Sequence, residues 1–431
     1  MYMTKKLSLN KTAKVWKPTV LTIHNYKIVL IKDTSKLLSV HSYIFSGFIR
    51  ETAADLGINH LLEHVLANAY TECKSYNCFS YLQQYGFTSN ASTSNNILHY
   101  YVNGMYSDWE VMINYIVSIS TKPEFNEALI TREKAAVKNE LHTYKDDSKY
   151  PILLASDRLL YKIYGLQNMS DAKQQLSNLK HFNKAKLLRY YKKTYNHKNT
   201  IFVISGNFSK QKVVTLLKGL LPNKVVFPIN NTLNTECFTH KPHTAFLYNP
   251  KLTSTQIAIS YPVDINYNDS AIFGLDFTIK VLHQQLFQRL RTEKKLVYGI
   301  ELTLIKDVCG AYIHLFINTI NDNVQKVLDE YQKVISTYVI PSVKRINAVK
   351  KWYKNKYNNT LFSATSLGPF FGIQYIYNYL LNTDVWMPHD ILALLLSTTS
   401  KQVQQNVRQY FDQQRMICII SNNKKRFRLD G

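Results

Sequence analysis

His60-Leu61-Leu62-Glu63-His64 is the stretch on which the reading of this chain turns. It has the form H-x-x-E-H, with two imidazoles four residues apart and a carboxylate between them. On an α-helix, positions i and i+4 lie one above the other on the same face, and Glu63, at i+3, points into the same space. His60 and His64 can then grip one metal ion. Zinc held in this way takes a third protein ligand and keeps one position open for water. A carboxylate beside that water can accept its proton and pass it to a leaving group. The alternative is a surface helix carrying two solvated histidines. The flanks argue against it, because Leu61, Leu62, Val65 and Leu66 make the helix largely apolar and Gly57-Ile58-Asn59 lead into it. A His-Glu-His cluster on a mostly buried helix needs partners, since unpaired buried polar groups are costly.

The third ligand has to come from elsewhere in the chain. Glu124 to Asp146 (EFNEALITREKAAVKNELHTYKD) predicts one long helix, with Pro123 just before its first turn, where proline is tolerated. Ala128, Leu129, Ala135, Ala136, Val137 and Leu141 give it an expected buried side. Glu133 and Glu140 are two turns apart and share a face. One can ligate while the other orients a ligand from behind, and their spacing alone does not choose between them. Glu127 reads as a solvated charge.

With these residues in place the chain resembles the insulinase/pitrilysin-type zinc peptidases, the inverzincins, whose H-x-x-E-H reverses the commoner H-E-x-x-H order. In that family a Glu roughly seventy to eighty residues beyond the second His completes the site, which is the interval from His64 to Glu140. The resemblance implies His60, His64 and Glu140 as ligands of Zn2+ and Glu63 as general base. It further implies that Glu133 supports a ligand from the second shell. Gly86-Phe87-Thr88-Ser89-Asn90-Ala91-Ser92-Thr93 resembles the family's segment in which an edge strand beside the metal pairs with the substrate backbone, so Ser89, Asn90 and Ala91 are expected to bind substrate. Asn95 to Met105 follows as an aromatic, β-branched strand, and its His99 reads as a packed histidine. Tyr195 to Asn207 resembles the helix-to-strand passage that closes the first half of such proteins.

Phe287 to Tyr298 (FQRLRTEKKLVY) resembles the second signature of the family. By that resemblance Arg291 and Tyr298 reach the scissile peptide, where an Arg and a phenol donor stabilise a developing oxyanion. An ordinary amphipathic helix end with both residues half exposed is the competing reading. The resemblance runs from about residue 20 to the end and is closest to the short two-domain form, similar to bacterial peptidases of the mitochondrial-processing-peptidase type. Two features depart from the family pattern. Leu66-Ala67-Asn68-Ala69-Tyr70-Thr71 lacks the glycine that many members carry after the zinc helix, and no glycine-rich linker joins the halves.

A chain of 431 residues with 45% hydrophobic content can bury two sizeable cores. Strand patterns open both halves, at Val20 to Ile31 and at Thr244 to Val263, and helical patterns follow each. The expected fold is α+β, two similar domains, each an antiparallel-rich sheet packed with long helices. The expected boundaries are a zinc-bearing domain over 1–220, a polar, proline-bearing linker over 221–243 and a second domain over 244–431. The formal charge of +24 allows anionic partners, but the basic residues are scattered and Lys-rich, as in an AT-rich genome, and no nucleic-acid module is present. The densest run, Lys424-Lys425-Arg426-Phe427-Arg428, reads as a solvated tail, and no nucleic-acid partner is expected.

Five cysteines without framework spacing suggest a reducing compartment, with Cys73 and Cys78 as unrelated thiols near the site. The N-terminal MYMTKKLSLNKTAKVWKP lacks the apolar core of a signal peptide, no run approaches a membrane span, and a cytoplasmic protein is expected. The resemblance implies a peptidase that cuts peptides or unfolded segments within a chamber built from four domains, hence a homodimer or a heterodimer with a related chain. A dedicated processing enzyme for a pheromone- or bacteriocin-like precursor, and a non-catalytic partner subunit of the same fold, are the other readings.

Overall fold

The computed structural model describes residues 16–73, 77–223, 236–266, 269–360 and 363–424. Residues 224–235 of the expected linker, most of the N-terminal basic stretch and residues 425–428 of the basic run lie outside the described residues. The expected single strand over Val20 to Ile31 is a hairpin. β1 (Thr19–Ile23) and β2 (Tyr26–Lys32) are joined by His24 and Asn25, both left-handed at φ 47° and 69°. Paired positive φ values are what a two-residue hairpin turn requires, and Asn accepts that conformation. The remaining strands of the first sheet are β3 (Leu37–Ile44), β4 (Thr88–Thr93), β5 (Leu98–Met105) and β6 (Thr200–Gly206), in the order β1-β2-β6-β3-β5-β4. The strand expected from Asn95 thus begins three residues later, after a tight turn in which Ser94 N donates to Ile97 O.

The second half repeats this plan. Its strands are β7 (His243–Tyr248), β8 (Thr255–Val263), β9 (Val297–Asp307), β10 (Gly310–Thr319) and β11 (Ile417–Asn422), in the order β7-β11-β8-β10-β9. The run expected from Thr244 to Val263 is again two strands. Each sheet has one parallel pair, β2 with β6 and β7 with β11, and every other pair is antiparallel. The chain is therefore α+β with two sheets of mostly antiparallel strands, and the hairpin strand β1 is the one addition in the first.

β6 and β8 are buried along their whole length, as strands covered on both faces are. The covering helices are exchanged between the halves. Ala364–Leu381, from the second half, packs on β3 and β6, while Tyr150–Leu160, from the first, packs on β11 and β8. One apolar seam joins both, including Val29, Tyr43, Ile152, Phe371, Ile417 and Ile419. Swinging the halves apart would expose this seam, so the exchanged helices hold the two sheets together whatever the linker composition.

The approach of Ala364–Leu381 to the first sheet depends on two glycines. A Cβ on Gly368 would collide with the His41 ring, and one on Gly372 with the Tyr43 ring. Gly372→Val is expected to destabilise the fold by about 1–3 kcal/mol through overpacking, read as a lowered midpoint in a denaturant melt. A melt at or above the wild-type midpoint would show that the seam yields freely.

The cysteine expectation is corrected. Cys73–Cys78 and Cys237–Cys309 are disulfides, and Cys418 is free and buried. Spacing along the chain could not reveal the second bond, which ties the strip entering β7 to the turn between β9 and β10. Denatured without reductant, the chain should titrate one thiol by a colorimetric reagent, and five would show that neither bond forms. No helix among the described residues is long and apolar enough to cross a membrane.

Candidate active site

The H-x-x-E-H run lies on α1 (Ile58–Ala67). Ile58, Leu61, Leu62, Val65 and Leu66 form its core-facing stripe and are fully buried. His60, Glu63, His64 and Ala67 recur at the complementary helical spacing, so the apolar stripe that docks the helix also aims the polar one. Gly57 caps its start at φ 90°, a left-handed position that favours glycine. The first turn is held by the buried carboxylate of Glu51, which accepts from Gly57 N (2.7 Å), Asn59 N (2.9 Å) and Asn59 Nδ2 (2.9 Å). The two backbone donors are free N–H groups of a helix start, and the third is the Asn59 side-chain amide.

Burial nevertheless pushes the Glu51 carboxyl up to about 7, against the pull of those donors. A carboxyl raised on folding stabilises most below its unfolded value and loses that contribution as pH rises through the folded one. Thermal stability should therefore fall between about pH 4.5 and 7 in the wild type, and that slope should flatten in Glu51→Gln. An unchanged slope would assign the effect elsewhere.

Three further helices frame the site: α2 (Cys78–Gln83), α3 (Trp109–Thr121) and α4 (Glu127–Asp146). α4 starts where Asn126 caps it, its side chain accepting from Ala128 N at 2.8 Å. Its buried residues are Leu129, Ile130, Glu133, Val137 and Leu141, whereas Ala128 and Ala135 are exposed. The expected apolar side was drawn too wide because alanine fits either face. Glu127 is exposed, as expected.

Glu140 Oε2 lies 3.3 Å from His60 Nε2 and 3.3 Å from His64 Nε2. One donor atom from each of the three residues lies within 4.8 Å of the others. With metal–ligand bonds of about 2.0–2.1 Å, neighbouring donors of a tetrahedral site stand about 3.3–3.4 Å apart. The donor set thus fits a zinc ion in chemistry and in spacing. Glu133 is buried behind it, with Oε2 3.4 Å from His64 Nδ1 and Oε1 accepting from Arg132 Nε at 2.9 Å and Asn68 Nδ2 at 3.4 Å. Burial lowers the tendency of His64 to protonate, but the hydrogen bond to Glu133 and the charges of Glu140, Glu63 and Glu133 outweigh it and raise its pKa. Burial acts to raise Glu133, and its bonds to His64 and Arg132 more than reverse that. Glu140 is lowered chiefly by its bond to His60. Each shift records carboxylates and imidazoles close enough to favour one another's charged form.

Glu63 Oε2 accepts from Thr93 Oγ1 at 2.7 Å. Thr93 ends β4, the edge strand of the first sheet, so the carboxylate is tied to the strand expected to hold substrate. Ser89, Asn90 and Ala91 of β4 line a cleft of about 200 Å³ together with Glu63, His64, Asn68, Phe79 and Tyr115. Thr93, Asn68, Phe79 and Tyr115 were not singled out from sequence. Asn68 is the C-cap residue of α1. It donates to His64 O and Glu133 and accepts from Cys78 N, coupling the end of α1 to the disulfide at the start of α2.

Arg291 and Tyr298 come together in the second half, the Arg291 Cζ 5.0 Å from the Tyr298 ring centroid and 5.1 Å from that of Phe287. The Phe287–Glu293 segment is a π-helix, and Tyr298 stands 84% exposed. Neither residue makes a hydrogen bond or ion pair to the His–Glu cluster among the described residues. His99 is packed, its ring stacked on Tyr43 at 4.2 Å and bonded to His41.

The sequence profile of the insulinase peptidases (peptidase family M16) matches residues 27–170, and that of the M16 inactive domain matches residues 181–343. The chain belongs to the insulinase-type M16 peptidase family, in its short two-domain form. No curated protein matches the sequence. Among solved structures it is similar to a protease from Helicobacter pylori, with a TM-score of 0.81 and 16% identity over 95% of this chain and 100% of the other. A peptidase M16 inactive domain from Pseudomonas fluorescens follows at 0.78 and 13%, over 94% and 97%. The periplasmic protease PqqL from Escherichia coli scores 0.72 at 16%, over 95% of this chain and 48% of PqqL.

Proposed function

We propose that this chain is a zinc-dependent metalloendopeptidase that hydrolyses peptides or unfolded polypeptide segments. The observation that carries the proposal is the convergence of His60, His64 and Glu140 beside Glu63. His60 Nε2, His64 Nε2 and a Glu140 oxygen would hold the ion, and Glu133 would keep His64 in the tautomer that presents Nε2. Zinc bound there supplies Lewis acidity and lowers the pKa of water. Glu63 accepts the water proton and returns it to the departing amine, and Thr93 keeps its carboxylate turned to that task. The free edge of β4 pairs with an extended peptide through main-chain bonds, which favours unfolded segments over folded domains.

Arg291 and Tyr298 supply oxyanion donors in this reading. Tyr298 projects into solvent, which suits a pair that meets substrate only when a second copy or a related chain closes the chamber. The two disulfides favour an oxidising compartment over the cytoplasm expected from the cysteine count.

The deciding experiment measures zinc content and digestion of a mixed unstructured peptide set. About one zinc per chain with cleavage supports the reading. Zinc without cleavage, even after a related chain is supplied, would leave the dedicated processing enzyme and the non-catalytic partner subunit as the readings. No zinc would sink the peptidase assignment.

A further inference from the structure

The helix Val343–Thr360 and the strip leading into it lie apart from the site described above. The helix carries Lys344, Arg345, Lys350, Lys351, Lys354 and Lys356 and has no acidic residue. Ile346, Val349 and Tyr353 dock it on the second core, while Lys344, Lys351 and Lys354 are exposed. At its start three aliphatic side chains stand in water within five residues: Val339 is 74% exposed, Ile340 50% and Val343 71%. Farther along, Trp352 carries two ammonium groups on one indole, Lys280 Nζ at 4.1 Å and Lys356 Nζ at 5.2 Å from the ring centroid. Asp276, on the neighbouring helix Ala271–Leu286, is the carboxylate that acts on Lys280 there, and the opposing effect of Lys356 is larger. The Lys280 ammonium is held below its ordinary value first by burial and then by the Lys356 charge, so positive charge is crowded rather than neutralised at this spot.

We propose that this face docks on an anionic phospholipid bilayer, with Val339, Ile340 and Val343 entering the interface and the lysines of Val343–Thr360 resting on lipid phosphates and carboxylates. A polyanion such as nucleic acid would satisfy the lysines but leave the aliphatic cluster in water. A bilayer satisfies both, because apolar side chains flanked by basic ones are what an interfacial surface requires. Trp352, an amphipathic ring between cations, is of the residue type that settles at the headgroup level. The protein would then attach peripherally to a membrane surface.

The test is flotation of the full chain with vesicles of phosphatidylcholine alone and with about one-third phosphatidylserine, each basic residue brought near such a surface strengthening partitioning about fivefold. Binding at least tenfold stronger to the anionic vesicles is expected, with a fall in high salt and a blue shift of tryptophan emission. Lys344→Glu/Lys351→Glu should remove most of the binding. Val339→Asp/Val343→Asp should weaken it comparably with an unchanged melt, since both side chains are already exposed. Equal binding to both vesicle types would overturn the proposal. So would anionic binding that the valine variant leaves intact, which would mark a generic polyanion surface. Loss of an oligomer by the valine variant in vesicle-free gel filtration, with vesicle binding kept, would assign the face to a second copy and also overturn it.

Discussion

Glu63→Gln is expected to retain about one zinc per chain and to lose peptide cleavage by on the order of 10²–10⁴-fold. Glutamine has the shape of glutamate and can still accept from Thr93, so the helix, the cleft and the three metal-facing atoms stay in place. What it cannot do is take a proton at that oxygen and give it back. Glu63 sits between His60 and His64 on the one polar stripe of α1, and Thr93 fixes its direction from the edge strand. The loss should therefore appear in kcat with little change in KM, because the proposed mechanism holds the peptide on β4 and not on this carboxylate. Thr93→Val should give a smaller loss, since the carboxylate then keeps its chemistry but not its aim. Retained activity in Glu63→Gln would mean that another base serves the site, and loss of zinc along with activity would leave the experiment reporting on the metal.

The parts of this site that were legible in the sequence are those set by helical periodicity. His60, Glu63 and His64 lie within two turns of one helix, and Glu133 and Glu140 within two turns of another, so each group shares a face before any tertiary contact forms. The apolar residues that bury each helix have the same period, and they fix which way those faces point. What could not be read are contacts between elements. Thr93 meets Glu63 across the gap between a strand and a helix, and Glu51 caps α1 from outside any capping-box spacing. The second disulfide closes because the fold brings Cys237 and Cys309 together across a sequence separation of 72, which no local spacing signals. The exchange of Ala364–Leu381 and Tyr150–Leu160 is of the same kind. Both are recognisable as helices, yet the sheet each covers is chosen by the seam around Tyr43, Phe371 and Ile419. The hairpin that opens the first half reads as one continuous strand pattern because a two-residue turn such as His24-Asn25 hardly interrupts an alternating sequence.

Glu140→Gln and Glu133→Gln should separate a ligand from its support. Glu140 gives the oxygen that stands 3.3 Å from both imidazole nitrogens, so its loss should weaken zinc binding by several hundredfold or more, taking one of three ligands as about a third of a typical binding free energy. Glu133 is one step removed. Its carboxylate faces His64 Nδ1 and leaves Nε2 for the metal, and loss of such a partner typically costs about 10–100-fold in affinity. The pH dependence distinguishes the two roles further. A proton on His64 competes with the metal, and in the wild type the carboxylates around His64 raise its pKa, so affinity should fall as pH drops through that raised value. Glu133→Gln removes the hydrogen-bonding carboxylate that raises it most, so proton competition should set in at lower pH even though binding is weaker overall. It also removes one negative charge beside the Arg132 guanidinium, which adds to the loss at neutral pH. Competition against a chromophoric chelator at a series of pH values reads both effects. Equal losses in the two variants, with the same pH profile, would mean that Glu133 and Glu140 share the ligand role and that the assignment of Glu140 alone is wrong.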